Sequence, residues 1–172
     1  MKRALTILSF LFIATNCFAQ SGYILPWQCG NTYTCTQGNN GTTSHTGTEA
    51  YAFDFNLPLN TPVIAMRAGV ITHVTESFAN NNCPYPNCSS CINDVNRIVV
   101  DHGNGTYGLY LHLSQNGSIY NVGDAVSQGQ VIGYSGNSGC TTGAHLHVML
   151  MNSNNCGNSW WCQSIPLSFD NV

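Results

Sequence analysis

Two histidines separated by a single residue, His145 and His147, are the side chains of this chain best suited to chemistry. They lie in the apolar run Ala144-His145-Leu146-His147-Val148-Met149-Leu150. If this run is a strand, residues two positions apart share a face, so both imidazoles point to the same side of a sheet. Two neutral imidazoles there can bind a transition metal, or one can bind it while the other transfers a proton.

Three further side chains could complete such a site. His112 lies in the strand-like run Leu109–Leu113 with apolar neighbours on both sides, and His45 and Asp54 lie upstream. A catalytic zinc site usually has three protein ligands and one position for water, whose pKa the metal lowers to about 7. His45, Asp54 and His147 could supply the ligands, and His112 and His145 could handle protons. Spacing alone does not assign these roles.

The N-terminus has the features of a secretory signal peptide. Lys2 and Arg3 precede the apolar run Ala4–Ile13, and Cys17-Phe18-Ala19 offers small residues for cleavage. We predict a signal peptide over residues 1–19 and a single domain over residues 20–172, secreted to an extracellular or periplasmic location. The apolar run is too short to span a bilayer. A lipid anchor at Cys17 is the alternative.

Eight cysteines remain after residue 19, and an even number in a secreted chain favours disulfides over thiolate metal sites. Sequence cannot choose among the possible pairings. Cys29 with Cys35 and Cys156 with Cys162 are attractive pairs because they close short loops. The spacing of Cys88 and Cys91 would also suit a redox or zinc pair, but the compartment favours a disulfide-stapled loop.

The charge of the chain excludes some classes of partner. Beyond residue 19 there are seven acidic residues and only two basic ones, Arg67 and Arg97, a formal charge of −5. Such a chain is unsuited to nucleic acid and to anionic membrane surfaces. We also expect no membrane-spanning segment and a monomer.

Short β-like runs separated by Gly/Asn turns make up the rest of the chain, and none of ten or more residues has helical periodicity. Gly103-Asn104-Gly105 is a strong hairpin signal between two of these runs. We predict an all-β fold with a mostly antiparallel sheet and disulfide-stapled loops, interrupted by a cysteine-bearing insertion at residues 80–96. The predicted strands are Thr61–Met66, Val70–Val74, Arg97–His102, Thr106–Leu113 and Val131–Tyr134.

An ordered series of motifs resembles the lysostaphin-type zinc metalloendopeptidases, which cut peptide cross-links in bacterial cell walls. The resemblance covers roughly residues 44–150. Its segments are His45 with Asp54-Phe55 and Pro58, Thr61-Pro62-Val63-Ile64-Ala65, Asp101-His102-Gly103-Asn104-Gly105, Leu109-Tyr110-Leu111-His112-Leu113, Val122-Gly123-Asp124 with Gly129-Gln130-Val131-Ile132-Gly133, and Thr142-Gly143-Ala144-His145-Leu146-His147.

The resemblance implies a role for each of the five side chains. His45, Asp54 and His147 match the ligands of one Zn²⁺ per chain. His112 and His145 match the two histidines that orient and deprotonate the water and stabilise the transition state. The fold implied is a β-sheet groove with zinc on its floor.

One spacing departs from the common family pattern. Eight residues, Thr46–Phe53, separate His45 from Asp54, where the family commonly has three. A subset of similar enzymes has such a longer loop, and His45 is the only histidine upstream of Asp54 in this sequence. We therefore keep His45 as a predicted ligand.

The function implied is a secreted zinc endopeptidase that hydrolyses peptide bonds in peptidoglycan cross-links, with glycine-rich bonds as candidates. Two alternatives remain: a non-catalytic cell-wall binding or amidase-activating protein on the same fold, and a protease of glycine-rich extracellular protein. Because all five positions are filled, we favour an active enzyme.

Several other side chains are of types that could take part in chemistry. We expect Glu49 to be a solvated loop residue and His102 to be structural. Trp160 and Trp161 are most simply a packed C-terminal edge, with glycan contact as the alternative. Tyr51, Tyr107 and Tyr110 include candidates for substrate or oxyanion contacts that the sequence does not decide between.

Overall fold

The computed structural model describes residues 22–157 and 159–170, so the predicted signal peptide lies outside the described residues. Strands and loops make up this part of the chain, with 3₁₀ turns at Gly47–Glu49 and Ser153–Asn155 and no α-helix. The prediction of an all-β fold is confirmed. The strands are β1 Cys35–Gln37, β2 Phe53–Phe55, β3 Pro62–Ile64, β4 Gly69–Thr75, β5 Cys83–Pro84, β6 Arg97–Asp101, β7 Thr106–Leu111, β8 Ala125–Val126, β9 Val131–Tyr134, β10 Cys140–Thr141, β11 Leu146–Asn152 and β12 Ser164–Ile165.

One sheet of eight strands organises the molecule, in the order β1-β2-β11-β7-β6-β4-β8, with β12 also paired to β11. All of its pairings are antiparallel, as predicted. Two small sheets accompany it, antiparallel β3-β9 and parallel β10-β5. No helix in the described ranges has the length and apolar character needed to cross a bilayer.

Alternation along β11 separates two hydrophobic cores on opposite faces of the sheet. Leu146, Val148 and Leu150 pack in the first core, which includes Tyr110 and Ile98. Met149 and Met151 point to the other face and pack in a second core with Val99, Leu109 and Leu111. His147 lies on this second face, because it is two residues before Met149.

The second core closes against the C-terminal segment. Trp160 and Trp161 pack against it in an edge-to-face pair whose ring centroids are 5.1 Å apart. The guanidinium carbon of Arg97 lies 3.9 Å from the ring centroid of Trp160, within the range of a cation–π contact. These contacts support the packed-edge interpretation of the two tryptophans.

Three disulfides are formed within the described residues: Cys83–Cys91, Cys88–Cys140 and Cys156–Cys162. Cys156–Cys162 is one of the two pairs that a short loop made attractive. Cys88 and Cys91 each bond another cysteine, so they belong to stapled loops and do not form a redox pair with each other. The Cys88–Cys140 bond ties the insertion at residues 80–96 to the segment that leads into His145.

The second pair that a short loop made attractive, Cys29 with Cys35, is not formed, because Cys35 is a free and exposed thiol. Cys35 lies on β1, opposite Phe55 of β2, and its sulfur approaches the carbonyl of Gln37 at 3.4 Å. Its position at the edge of the sheet is fixed by strand pairing, which loop length could not reveal.

Candidate metal centre

Strand pairing brings the central carboxylate and one histidine together. Asp54 on β2 is directly opposite His147 on β11, and a carboxylate Oδ1 to imidazole Nδ1 distance of 2.9 Å joins them. His45 arrives from the long loop between β1 and β2, with its Nε2 3.1 Å from Asp54 Oδ2. One ligand atom from each of the three residues lies within 4.8 Å of the others. This is the set that the sequence predicted as metal ligands.

Burial of these side chains fits a cation. His45 is fully buried, His147 is 4% exposed and Asp54 is 9% exposed. The Nε2 atom of His147 is buried without a hydrogen-bond partner among the described residues, and that of His45 makes no hydrogen bond although Asp54 Oδ2 lies 3.1 Å away. Because an unpaired buried polar atom is costly, two such nitrogens beside a buried carboxylate suit a bound metal. Two imidazoles and a carboxylate are also ligands that zinc prefers.

Backbone carbonyls fix the orientation of three of the histidine rings. The Nδ1 of His45 lies 3.0 Å from the Gly38 oxygen, that of His112 2.7 Å from the Ser138 oxygen, and that of His145 2.9 Å from the Gly143 oxygen. A carbonyl can only accept, so Nδ1 carries the proton in each ring. In a neutral ring this leaves the Nε2 lone pair available for a metal or for a proton.

The pKa values at the centre follow from its burial and its pairing. Burial alone would raise the pKa of Asp54, but the contacts with His147 and then His45 outweigh burial and hold it well below its usual range. Burial alone would lower the pKa of His45, and the contact with Asp54 and its negative charge reverse the direction, so the net pKa is raised. Asp54 is therefore ionised across the physiological range.

His112 and His145 lie side by side next to the three candidate ligands. Their ring centroids are 4.4 Å apart, and the Nε2 of His145 is 3.9 Å from Asp54 Oδ1. Burial, and then the charges of His145 and His147, lower the pKa of His112 to about 3. His112 is therefore neutral at physiological pH, with a free lone pair on Nε2.

Neither of these two histidines lies within a strand, which differs from the prediction. β7 ends at Leu111, and His112 follows with a φ of 62°, in the left-handed region. β11 begins at Leu146, one residue after His145. The hydrogen bonds to the carbonyls of Ser138 and Gly143, both in loops, replace strand geometry in aiming the two rings.

An open groove of about 270 Å³ adjoins the centre. Asp54 and His145 contribute to its wall, and the remaining lining is small and uncharged: Thr36, Asn56, Thr142, Gly143 and Ala144. Hydroxyl and amide groups of this kind can hydrogen-bond a peptide backbone.

Other residues considered from the sequence lie outside the centre. Tyr110 is fully buried in the first core, where its hydroxyl accepts from the Met66 amide at 2.7 Å and burial raises its pKa. His102 is also buried, with Nδ1 3.0 Å from the Ala68 oxygen, as expected of a structural histidine. Glu49 is half-buried, so the expectation of a solvated side chain is wrong. Burial raises the pKa of Glu49, and the positive charges of His147 and His45 oppose this rise only in part.

One residue at the centre escaped the sequence analysis. Gln37 on β1 is opposite Asp54, and its Nε2 donates to Asp54 Oδ2 at 3.0 Å. A glutamine carries no signal of its own in a sequence rich in amides. The only available clue was its position just before the long loop that carries His45.

Most of the residues of the candidate metal centre lie within a match to a known protein family. Residues 48–158, more than half of the chain, match Peptidase family M23. This range contains Asp54, His112, His145 and His147, and it begins shortly after His45.

Two curated relatives illustrate the similarity. Peptidoglycan DD-endopeptidase ShyA from Vibrio cholerae is 38% identical over 107 residues, which are 62% of this chain and 20% of the relative. Lysostaphin from Staphylococcus simulans is 34% identical over 104 residues, 59% of this chain and 18% of the relative. The chain thus spans about a fifth of the length of these relatives.

Solved structures share the fold over most of the chain. The M23 metalloprotease pseudoalterin, described as coming from the deep sea, superposes with a TM-score of 0.57 at 25% identity, covering 86% of this chain and 76% of that one. Lysostaphin from Staphylococcus simulans gives a TM-score of 0.53 at 27% identity, covering 78% and 48%. Because the family match covers more than half of the chain and includes Asp54, His112, His145 and His147, the chain belongs to peptidase family M23, a family of zinc metallopeptidases.

Proposed function

We propose that this protein is a secreted zinc-dependent endopeptidase that hydrolyses peptide bonds in bacterial peptidoglycan cross-links. One observation carries the proposal. The Asp54 carboxylate lies within 3.1 Å of a ring nitrogen of both His45 and His147, and two further histidines lie beside it. A structural histidine cluster would not need four rings around one buried carboxylate, whereas a hydrolytic centre needs both ligands and proton carriers.

His45, Asp54 and His147 would hold the zinc ion. A bound zinc supplies a Lewis acid that polarises the scissile carbonyl and lowers the pKa of a water to about 7. Asp54 also keeps the two ligand rings in place, because its two oxygens face different histidines.

His112 and His145 would handle the proton and the developing charge. His112 can accept a proton at Nε2, because it is neutral and its Nδ1–H is held by the Ser138 carbonyl. His145, anchored through Gly143, is the ring closer to the carboxylate and to the groove. Positioned acid–base groups of this kind typically contribute about 10² to 10⁴ in rate.

The groove suits a substrate without charged residues near the scissile bond. Its lining of Thr36, Asn56, Thr142, Gly143 and Ala144 carries no charge. Glycine or alanine residues at the scissile bond would fit such a lining. One relative, a peptidoglycan DD-endopeptidase from Vibrio cholerae, points to peptidoglycan as the class of substrate.

Location outside the cytoplasm agrees with this activity. Three disulfides within the described residues need an oxidising compartment to persist. The predicted signal peptide would deliver the chain there.

The test is mass spectrometry of fragments released from purified peptidoglycans of defined cross-bridge type, with and without a zinc chelator. We expect cleavage within the cross-link that stops on chelation and returns when zinc is added. Zinc binding without any fragment from any wall, combined with cleavage of a glycine-rich protein, would replace this proposal by the protein-substrate alternative. The absence of both zinc binding and cleavage would favour a non-catalytic binding protein.

A further inference from the structure

The long loop between β1 and β2 must hold one candidate metal ligand in place relative to another. It carries His45, while the strand that follows it carries Asp54, and eight residues separate the two. A metal centre needs its ligands held to within a fraction of an ångström, and a loop of this length does not hold two ligands in register by itself.

Gln37 contacts both parts of the centre at once. Its Nε2 donates to Asp54 Oδ2 at 3.0 Å and to the Ser44 hydroxyl at 2.9 Å. Its Oε1 accepts from the backbone amides of Thr43 and Ser44 at 3.1 and 3.3 Å. One side chain thus links the carboxylate to the backbone directly before His45.

The position of Gln37 is itself fixed from two sides. Strand pairing places it opposite Asp54, so the two side chains share a face of the sheet. The turn at Gly38–Gly41 closes over it, and a Cβ at Gly41 would lie only 2.3 Å from the Gln37 Cγ. Only a glycine leaves room for the glutamine there.

We propose that Gln37 is a positioning residue of the metal centre, which sets zinc affinity by locking the Asp54 carboxylate and the His45 loop into one arrangement. This inference rests on the proposed function only in taking the metal to be zinc. A carboxylate oxygen has more than one lone pair, so Asp54 can accept from Gln37 and still ligate a cation. Hydrogen bonds to metal ligands commonly change metal affinity by about 10- to 100-fold.

The first variant is Gln37→Met, which keeps the length of the side chain and removes all four hydrogen bonds. We expect the dissociation constant for zinc, measured by competition with a chromophoric chelator, to rise about 10- to 100-fold. The absorption spectrum of the Co²⁺-substituted protein should also change, because the ligands are no longer held in the same geometry. Gln115→Met is the matched control, since Gln115 is exposed and its side-chain hydrogen bond within the described residues is to the Ser77 carbonyl.

The second variant, Gly41→Ala, removes no hydrogen-bonding group and acts only by displacing Gln37. We expect it to weaken zinc binding in the same direction, and it decides the matter if Gln37→Met fails to fold. Zinc affinity within threefold of the unmodified protein, in whichever of these variants folds, would overturn the inference. Because zinc affinity is measured without substrate, a protein that cuts no peptidoglycan but needs Gln37 for zinc would refute the proposed function alone.

Discussion

The shared carboxylate is the residue on which the centre depends most. In Asp54→Asn the side chain keeps its shape but loses the charge that faces both His45 and His147. We expect bound zinc to fall from one per chain to near zero, and peptidase activity to fall with it. Elemental analysis of the purified protein measures this directly. Asp124→Asn, which alters a carboxylate that accepts from the Asn121 amide in a turn, should retain full zinc.

His112 allows catalysis to be separated from metal binding. His112→Asn suits the left-handed backbone at this position, where asparagine is well tolerated, and removes the imidazole. We expect kcat to fall about 10²- to 10⁴-fold with zinc content unchanged. His73→Asn, in β4, is the control and should leave kcat unaltered. If His112→Asn had a normal kcat, His112 would have no place in the proposed mechanism.

The lowered pKa of His112 also predicts a dependence of stability on pH. Because its folded pKa of about 3 is below the ordinary value of 6.5, the unfolded chain binds a proton that the folded chain rejects between these two values. Stability is therefore lost as the pH falls from 6.5 towards 3. In chelator-treated protein, urea unfolding should show a smaller acid-induced loss for His112→Asn than for the unmodified chain. Equal acid-induced losses of stability in the two proteins would contradict the lowered pKa of His112.

At the scale of elements, a close approach between two loops holds His112. The amide of Gly136 donates to the His112 carbonyl at 2.8 Å, and a Cβ there would lie 2.5 Å from backbone atoms of Leu113 and Ser114. Gly136→Ala should therefore displace His112, lower kcat more than zinc affinity, and destabilise the fold by about 1–3 kcal/mol. Gly143→Ala, where a Cβ meets open space, should leave unfolding in urea unchanged.

The disulfides should contribute unequally to stability. Cys88–Cys140 closes 52 residues and Cys156–Cys162 closes 6, and loop-closure entropy gives about 4 and about 2 kcal/mol respectively. Removing the first bond by paired serine substitution should therefore cost more in urea unfolding than removing the second. It should also loosen the segment leading into His145, which would appear as a lower kcat. The reverse order of stabilities would show that strain or residual structure outweighs chain entropy.

At the scale of the whole molecule, the fold should survive loss of the metal. Two hydrophobic cores and three disulfides lie outside the centre. Chelation should therefore abolish activity while near-ultraviolet circular dichroism persists, with the melting temperature lowered through loss of ligand-linked stability. Added zinc should restore both the activity and the melting temperature. Cooperative unfolding on chelation alone would mean that the metal is needed for folding.

Local sequence signals predicted much of this molecule. β9 has the bounds predicted for it, and the Gly103-Asn104-Gly105 turn does connect β6 to β7. The candidate ligand set came from the resemblance to a family, since the register that places Asp54 opposite His147 joins residues far apart in sequence. Gln37, the free thiol of Cys35 and the buried Tyr110 escaped for the same reason: their environments are made by strand pairing and packing, which composition and spacing do not encode.

The second face of the main sheet has a consequence for how such a protein can change over evolutionary time. His147 occupies the same alternating series as Met149 and Met151, so the metal centre is the polar end of what is otherwise a hydrophobic core. Retaining polar groups at the end of an apolar face reduces stability in return for activity. Substitution of His147 by leucine would extend the core, but it would leave the buried Asp54 carboxylate without one of its two histidine partners. An inactive descendant that is more stable than its active ancestor therefore requires replacement of Asp54 as well as His147.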